Sequence, residues 1–309
     1  MMVRKDDSGS ARGGRMEGNR ASSLEQLQKR IDAIIQEKPS HKEVLEFLKE
    51  VMTEQHRTRT GTKTVPIRID GEKTQAFIEG HPLLDKRELS LDMPAATRLF
   101  KKLCRLLGRR EETSEDVKRV NQALRNKDLN LVELFKHAGT ENDEYVRAIS
   151  KKLEVREDIL LFLAVNSVRP IFEAYANELK DRVDQEMWRK GYCPICGVMP
   201  LIAELREEGA RFLVCSLCGF EWKFMRLRCP SCGNDDHEAL RYFYTKSGGA
   251  TNRIDICEKC RRYIKTFDTR EMTGEVIPIV EDVGTLYLDV LAQEAGYLKG
   301  GRLHGGLRN

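Results

Sequence analysis

Four short stretches decide the fold of this chain, and each holds two cysteines separated by two residues: Cys193-Pro-Ile-Cys-Gly197, Cys215-Ser-Leu-Cys-Gly219, Cys229-Pro-Ser-Cys-Gly233 and Cys257-Glu-Lys-Cys-Arg261. The spacer lets both sulfurs of a pair bind one ion, and two pairs supply the four thiolates of a tetrahedral site. Glycine follows three of the pairs and permits the left-handed backbone of a tight knuckle. Arg261 follows the fourth pair, where we expect a looser turn. The candidate metal ligands are Cys193, Cys196, Cys215, Cys218, Cys229, Cys232, Cys257 and Cys260.

The sequence between the pairs indicates which of them share an ion. Residues 199–204 and 211–214 flank a polar turn, and residues 239–245 and 251–256 flank the turn Ser247-Gly248-Gly249. Each set predicts a β-hairpin, which returns the chain to its starting point. The two predicted sites are therefore Cys193/Cys196/Cys215/Cys218 and Cys229/Cys232/Cys257/Cys260. A cross-braced arrangement, in which alternate pairs share an ion, is the alternative.

A third strand is predicted after each hairpin. Phe220, Trp222 and Phe224 alternate after the first site, and Tyr263 and Phe267 follow the second. Two tandem three-stranded modules result. Each is too small to bury a sufficient core, so we expect metal binding to stabilise its fold directly.

The chemistry of the pairs favours a metal over disulfides or redox-active dithiols. Residues 1–23 contain no hydrophobic signal-peptide centre, so we expect a cytoplasmic protein whose thiols stay reduced. Zinc and rubredoxin-type iron accept the same four thiolates, which leaves the choice between iron and zinc open. Four thiolates also close the coordination sphere to water and substrate, and we expect no enzyme activity.

Helical periodicity dominates residues 23–190. Helices are predicted over 24–35, 40–52, 92–107, 114–125, 130–137, 141–153, 156–168 and 172–187. Pro170 should kink or break the last run, because proline removes a helix hydrogen bond. Residues 57–90 are punctuated by glycine and proline and predict a long connection with little regular structure. No window approaches the ~18 uninterrupted apolar residues of a membrane span.

The predicted class is α+β: an all-helical domain, then two small β metal modules, then one C-terminal helix. The 309 residues divide into a disordered leader (1–22), the α-helical domain (23–190), the first module (191–228), the second module (229–275) and the C-terminal helix with a flexible tail (276–309). The leader is polar and rich in glycine, and a start at Met16 is the alternative to Met1.

The charge distribution weighs against a nucleic-acid module. The chain carries 53 basic and 49 acidic residues, but residues 191–309 hold 16 of each. A nucleic-acid surface usually carries a basic stripe. Lys223, Arg226 and Arg228 alternate after the second cysteine pair, and a solvated strand face is the simpler interpretation.

These residues resemble the FdhE-type accessory proteins for formate dehydrogenase formation. The resemblance rests on Cys193-Pro-Ile-Cys-Gly-Val-Met-Pro200, on Cys215-Ser-Leu-Cys218 followed by Glu221-Trp222, on Cys229-Pro-Ser-Cys232, and on Cys257-Glu-Lys-Cys260 leading into Tyr263-Ile264-Lys265. It extends upstream to Gly80-His81-Pro82-Leu83-Leu84 and to residues 162–179. Downstream it includes Glu281-Asp282, Leu288-Asp289 and Glu294-Ala-Gly-Tyr297.

The resemblance implies a cytoplasmic assembly factor with an N-terminal helical domain and two rubredoxin-like or zinc-ribbon-like metal modules. Such proteins bind the catalytic subunit of formate dehydrogenase, a molybdenum- or tungsten-containing selenoenzyme, and support its maturation. The eight paired cysteines carry over as metal ligands. Two alternatives remain from other functional classes: a zinc-ribbon nucleic-acid-binding protein and a small rubredoxin-type electron carrier.

Overall fold

A computed structural model describes residues 23–86, 89–138, 144–244, 251–272 and 276–300. Within these ranges, eight α-helices precede the first strand: α1 (Leu24–Glu37), α2 (Lys42–Arg59), α3 (Gly71–Glu79), α4 (Met93–Leu107), α5 (Glu111–Asn126), α6 (Leu131–Ala138), α7 (Glu144–Leu153) and α8 (Glu157–Leu179). The predicted leader, most of the predicted tail and the Ser247-Gly248-Gly249 turn lie outside the described residues.

Local sequence signals start several of these helices where predicted. The Ser23 hydroxyl accepts from the backbone N–H of Gln26 at 3.2 Å, and the Gln26 side chain accepts from the N–H of Ser23. Asp92 caps α4 by accepting from the N–H of Ala95 at 3.0 Å.

The expectation that residues 57–90 form an irregular connection is wrong in part, because they contain helix α3. Asp70 caps it by accepting from the N–H of Lys73, and its one buried side chain is Phe77. A single buried position leaves too weak a periodicity for detection.

Helix α8 is the centre of the helical body, and its run continues through Pro170. Sixteen of its 23 residues are buried. By length and composition the segment Glu157–Arg182 could cross a membrane, but 83% of its apolar window is buried inside the fold. Because α8 runs from Glu157 to Leu179 with Pro170 inside it, the expectation that Pro170 breaks the helix is wrong.

A side chain on α2 explains why α8 tolerates its proline. Pro170 has no N–H for the carbonyl of Asn166, four residues earlier. The buried side chain of Gln55 donates to that carbonyl at 3.1 Å and to the Asn166 side-chain oxygen at 3.0 Å. Gln55 thus satisfies the acceptor that the proline leaves open, across 111 residues of sequence.

We expect Gln55→Leu to destabilise the helical body by about 1–3 kcal/mol, because it leaves a buried carbonyl without a donor. Urea unfolding followed by circular dichroism measures the change. Gln75→Leu on exposed α3 is the matched control, with an expected change within about 0.5 kcal/mol. In a Pro170→Ala background the N–H returns and the cost of losing Gln55 should shrink. An equal cost in both backgrounds would contradict this role.

The strands form one continuous sheet. They are β1 (Pro200–Leu205), β2 (Arg211–Cys215), β3 (Glu221–Phe224), β4 (Leu240–Phe243), β5 (Asn252–Cys257), β6 (Arg262–Asp268) and the short β7 (Leu298–Lys299). Their order is β3-β2-β1-β6-β5-β4, with β7 also paired to β6. The two predicted three-stranded units are present as β1–β3 and β4–β6. The two units join edge to edge through parallel pairing of β1 with β6, in which Ala203 lies opposite Thr266, and this junction was not predicted from the sequence.

The helical body and the first unit share one hydrophobic core. Leu163 and Val168 of α8 belong to the same buried cluster as Leu213, Trp222 and the four cysteines of the first site. A helical region, a sheet with two tetracysteine clusters and C-terminal helices confirm the predicted α+β class.

The C-terminal segment is more divided than predicted. One closing helix was expected, whereas the structure has α9 (Pro278–Gly284) and α10 (Leu286–Glu294), separated at Thr285. The Thr285 hydroxyl donates to the carbonyl of Glu281 at 2.7 Å, and its backbone leaves the helical region with φ −127°. Strand β7 then returns the chain to the start of β6.

Buried charges attach this segment to the sheet. Lys265 of β6 is fully buried, and its ammonium lies 2.7 Å from Asp282 Oδ1 and 2.5 Å from Asp289 Oδ2. Lys299 lies 2.7 Å from Asp282, and the Tyr263 hydroxyl donates to Asp289 at 2.8 Å. Burial alone would raise the pKa of Asp282, but the two lysines hold it below its ordinary value. Its contribution to stability is therefore present above about pH 4 and is lost as the pH falls further.

We expect Lys265→Met to lower the stability of the C-terminal half by about 3–5 kcal/mol, because two buried carboxylates would then share one lysine. The urea midpoint of the strand signal reports this loss. Lys259→Met removes an exposed ion pair with Asp236 and should cost less than about 1 kcal/mol. Equal midpoints for the two variants would rule out the proposed role of Lys265.

Candidate metal centre

The first cysteine cluster lies at one end of the β1–β2 hairpin, inside the shared core. Cys193, Cys196, Cys215 and Cys218 are all buried, and their sulfurs lie within 4.8 Å of one another. The distances between sulfurs are 3.6 Å for Cys193–Cys218, 3.4 Å for Cys196–Cys215 and 3.6 Å for Cys196–Cys218. The four cysteines are at most 1% exposed and belong to the same buried cluster as Phe220 and Trp222.

The second cluster lies at the corresponding end of β5. The sulfurs of Cys229 and Cys260 are 3.7 Å apart, and those of Cys232 and Cys257 are 3.8 Å apart. Cys229 and Cys257 are buried, but Cys232 is exposed and Cys260 is half-buried. The two clusters thus share their donor set and differ in their access to solvent.

The donor sets fit a tetrahedral ion. Four sulfurs about 2.3 Å from a central metal ion are separated by about 3.8 Å along the edges of a regular tetrahedron. The sulfur distances of 3.4–3.8 Å approach this value and are far longer than the ~2.05 Å of a disulfide. Either cluster could therefore hold a metal ion, and the grouping is the one that the hairpins predicted, not the cross-braced alternative.

The backbone of the knuckles turns toward the sulfurs. Gly197 and Gly233 have φ of 70° and 74°, and each donates its N–H to the carbonyl of the first cysteine of its pair, at 2.8 and 2.9 Å. In the first cluster the N–H groups of Leu217 and Cys218 both lie 3.4 Å from Cys215 Sγ, where they can donate to a thiolate. These contacts favour the charged form of the sulfur.

The expectation of a looser fourth knuckle is wrong. Arg261 adopts the same left-handed backbone, with φ 54°, and donates to the carbonyl of Cys257 at 2.9 Å. A side chain in this conformation costs about 1–2 kcal/mol. Its guanidinium offsets the cost by bonding to Glu258 at 2.9 Å and to the Tyr297 hydroxyl at 3.0 Å. Arg261 therefore connects the second cluster to the end of α10.

Burial sets the protonation of the thiols before an ion binds. It raises the pKa of Cys193 and of Cys218 well above the ordinary value, and it raises the pKa of Cys229 to about 11. A cation must therefore displace protons from these thiols, so metal uptake weakens as the pH falls.

The basic residues singled out in the sequence do not form one strand face. Strand β3 ends at Phe224, so Arg226 and Arg228 lie beyond it. Lys223 pairs with Glu186 at 3.1 Å, and Arg228 donates to the carbonyl of Gly233 at 2.9 Å. Two of the three cations are therefore engaged in contacts within the protein.

Asn234 is a site residue that was not predicted from the sequence. Its side-chain amide lies 3.8 Å from Cys257 Sγ. Its place directly after the Cys-x-x-Cys-Gly knuckle is the signal that could have indicated it.

Comparison with known proteins places the two cysteine units in one family. The family model for the FdhE central domain matches residues 192–226, and the model for the FdhE C-terminal domain matches residues 227–303. The FdhE homolog of Aquifex aeolicus is 36% identical over 165 residues, which cover 52% of this chain and 57% of that protein. The FdhE homolog of Actinobacillus pleuropneumoniae serotype 3 is 30% identical over 129 residues, or 41% of each chain. The aligned stretches thus span about half the length of these relatives.

A solved structure extends the likeness in fold to the helical half. The crystal structure of the FdhE protein from Pseudomonas aeruginosa aligns with a TM-score of 0.64 and 21% identity. The alignment covers 93% of this chain and 98% of that one. The domain matches, the curated relatives and the common fold agree, and residues 192–303 carry the central and C-terminal domains of the FdhE family.

Proposed function

We propose that this protein is a cytoplasmic accessory factor that binds the catalytic subunit of formate dehydrogenase and supports its maturation. The observation that carries the proposal is the pair of tetracysteine clusters, set in one sheet within the matched FdhE domains. A sheet that is stiffened at two points and packed on a helical body is a rigid platform for binding a protein.

We further propose that all eight clustered cysteines are metal ligands, with two ions per chain, either iron or zinc. Four thiolates around each ion complete its coordination, so the ion stiffens the fold and does not activate a substrate. This is why we propose a binding function without catalysis. Cysteines that bind metal must stay reduced, and a reducing compartment such as the cytoplasm keeps them so. We also propose that the domain boundaries of the chain lie near residues 190, 228 and 275.

A small electron carrier is the second candidate, and the exposure of Cys232 favours it. Electron transfer needs a redox-active ion close to the surface, and the second cluster is the one that meets solvent. Purified protein that contains zinc alone and shows no thiolate-to-iron absorption would exclude this function. Nucleic-acid binding has less support, because Lys223 and Arg228 are engaged within the fold.

Affinity purification from anaerobic cells grown on formate tests the leading proposal. We expect the tagged chain to recover a formate dehydrogenase catalytic subunit. A Cys196→Ser variant of the bait is the matched control and should lose the subunit, because its sheet lacks the first ion. Recovery of no such subunit by bait with both sites occupied would refute the proposal.

A further inference from the structure

A groove of about 200 Å³ lies between strands β4–β6 and the segment 226–231, which joins the two cysteine clusters. Part of its lining is apolar and includes Leu227, Pro230 and Ile264. Cys229 and Cys257 of the second cluster also line it. The groove therefore lies beside the more exposed of the two metal centres.

The groove is strongly basic, although this half of the chain is neutral. Six of its lining residues are arginines, namely Arg211, Arg226, Arg228, Arg241, Arg253 and Arg262. Asp255 is the acidic residue among the described residues that line it, and its charge is already paired. It accepts from Arg253 at 2.8 Å and from the Thr266 hydroxyl at 2.8 Å, and it lies 3.4 Å from Arg211. An incoming carboxylate thus meets a net positive surface.

Large apolar side chains stand exposed beside these arginines. Leu227 is 64% exposed, Tyr242 58% and Tyr244 51%. The two tyrosine rings stack with centroids 6.4 Å apart, and the Arg253 guanidinium lies 4.6 Å from the centroid of the Tyr242 ring. Ordered tyrosines next to arginines are the residue types that dominate binding energy at protein interfaces.

The two edges of the sheet also differ. At the β3 edge, the backbone N–H of Lys223 donates to the side chain of Gln185 at 3.1 Å, so the loop before the first cluster covers that edge. In the part of the chain that the structure describes, β4 pairs with β5 alone and forms the opposite edge. An edge strand can accept an extended segment of another chain.

We propose that this groove receives an extended acidic segment of the client, a proposal that rests on the function proposed above. Carboxylates of the segment face Arg226 and Arg262, its apolar side chains pack on Leu227 and Tyr242, and its backbone runs beside β4. The apolar surface between the arginines and the even charge balance of residues 191–309 favour a protein over RNA as the occupant.

Both modules build the groove. Arg211 comes from β2 in the first module and is 4% exposed. It donates to the carbonyl of Arg228 at 3.1 Å and so holds the segment 226–231 over the sheet. The second module supplies Asp255 and the cluster cysteines. A client can therefore bind only when both modules are folded, which gives the second metal centre a role in recognition.

A binding measurement with purified protein tests the proposal. Wild type and the double variant Arg226→Glu/Arg262→Glu are immobilised and exposed to the formate dehydrogenase catalytic subunit at 150 mM salt. Both arginines are exposed and neither ligates metal. The control is Arg98→Glu/Arg125→Glu, an equal change of charge at exposed positions of α4 and α5. We expect the groove variant to lose about tenfold or more in affinity and the control to stay within about twofold. Tyr242→Ser should also weaken binding at unchanged metal content.

The outcomes separate the groove from the proposed function. Wild-type affinity in the groove variant, or equal losses of affinity in both variants, would refute the proposed role of the groove. Either result would leave the proposed function of the protein unaffected. If wild type does not bind the subunit, the proposed function fails, and an acetylated peptide of alternating Glu and Leu then tests the groove against a Lys-Leu peptide. No preference for the acidic peptide overturns it. Salt-sensitive binding of a 20-nucleotide RNA that is lost in the groove variant overturns it in favour of RNA.

Discussion

Replacing Cys196 by serine is expected to unfold the sheet. Cys196 is fully buried in the core that joins α8 to β1–β3. A structural zinc contributes about 10–16 kcal/mol in small metal domains, which matches or exceeds the ~5–15 kcal/mol that stabilises a whole folded protein. The variant should lose the first ion, and Trp188 and Trp222, both buried in the same core, should become exposed. Tryptophan emission and strand circular dichroism measure the loss.

Cys104→Ala is the matched control for this variant. Cys104 is the ninth cysteine and is buried on α4, where burial raises its pKa to about 12 and keeps it a neutral thiol. Its replacement removes a small apolar group and should cost no more than about 1–3 kcal/mol. If Cys196→Ser kept native tryptophan emission and one ion in the first cluster, the sheet would not depend on that ion.

A chelator is expected to remove the ions in two phases. In the second cluster Cys232 is exposed and Cys260 is half-buried, whereas all four cysteines of the first cluster are buried. A chelator can reach the second ion from solvent, but the first requires opening of the core. We expect one ion per chain to leave at least about tenfold faster than the other, with the sheet of the first module intact after the fast phase.

Two variants assign the phases. Cys232→Ser should abolish the fast phase and leave the slow one, because Cys232 belongs to the exposed cluster. Absorbance of a coloured chelator complex follows the release, and tryptophan emission reports the first module in the same sample. Release of both ions in a single phase, with loss of tryptophan burial at the same rate, would contradict the asymmetry of the two sites.

The cysteine clusters could be predicted from sequence because their determinants are local. Each cluster is built from three local features: the two-residue spacing within a pair, a glycine such as Gly197 or Gly233 after it, and the hairpin between the pairs. All three lie within about 30 residues of sequence. Helix starts at Ser23 and Asp92 were predictable for the same reason, since a cap acts on the N–H group two or three residues ahead.

Long-range partners explain what sequence reasoning missed. Pro170 signals a helix end unless Gln55, 111 residues away, supplies the missing donor. The pairing of β1 with β6 brings together Ala203 and Thr266, and no local pattern marks either strand as the junction. Arg261 breaks the glycine pattern, and its compensation comes from Tyr297, which is 36 residues later. In each case the deciding contact is formed only in the folded chain.

Elemental analysis of anaerobically purified, natively folded protein, combined with a count of free thiols, tests the central claim most directly. Two tetrahedral thiolate sites predict two ions of iron or zinc per chain and no disulfide among the eight clustered cysteines. A protein that keeps its strand signal and buried tryptophans without any bound ion, or that carries these cysteines as stable disulfides, would contradict the account.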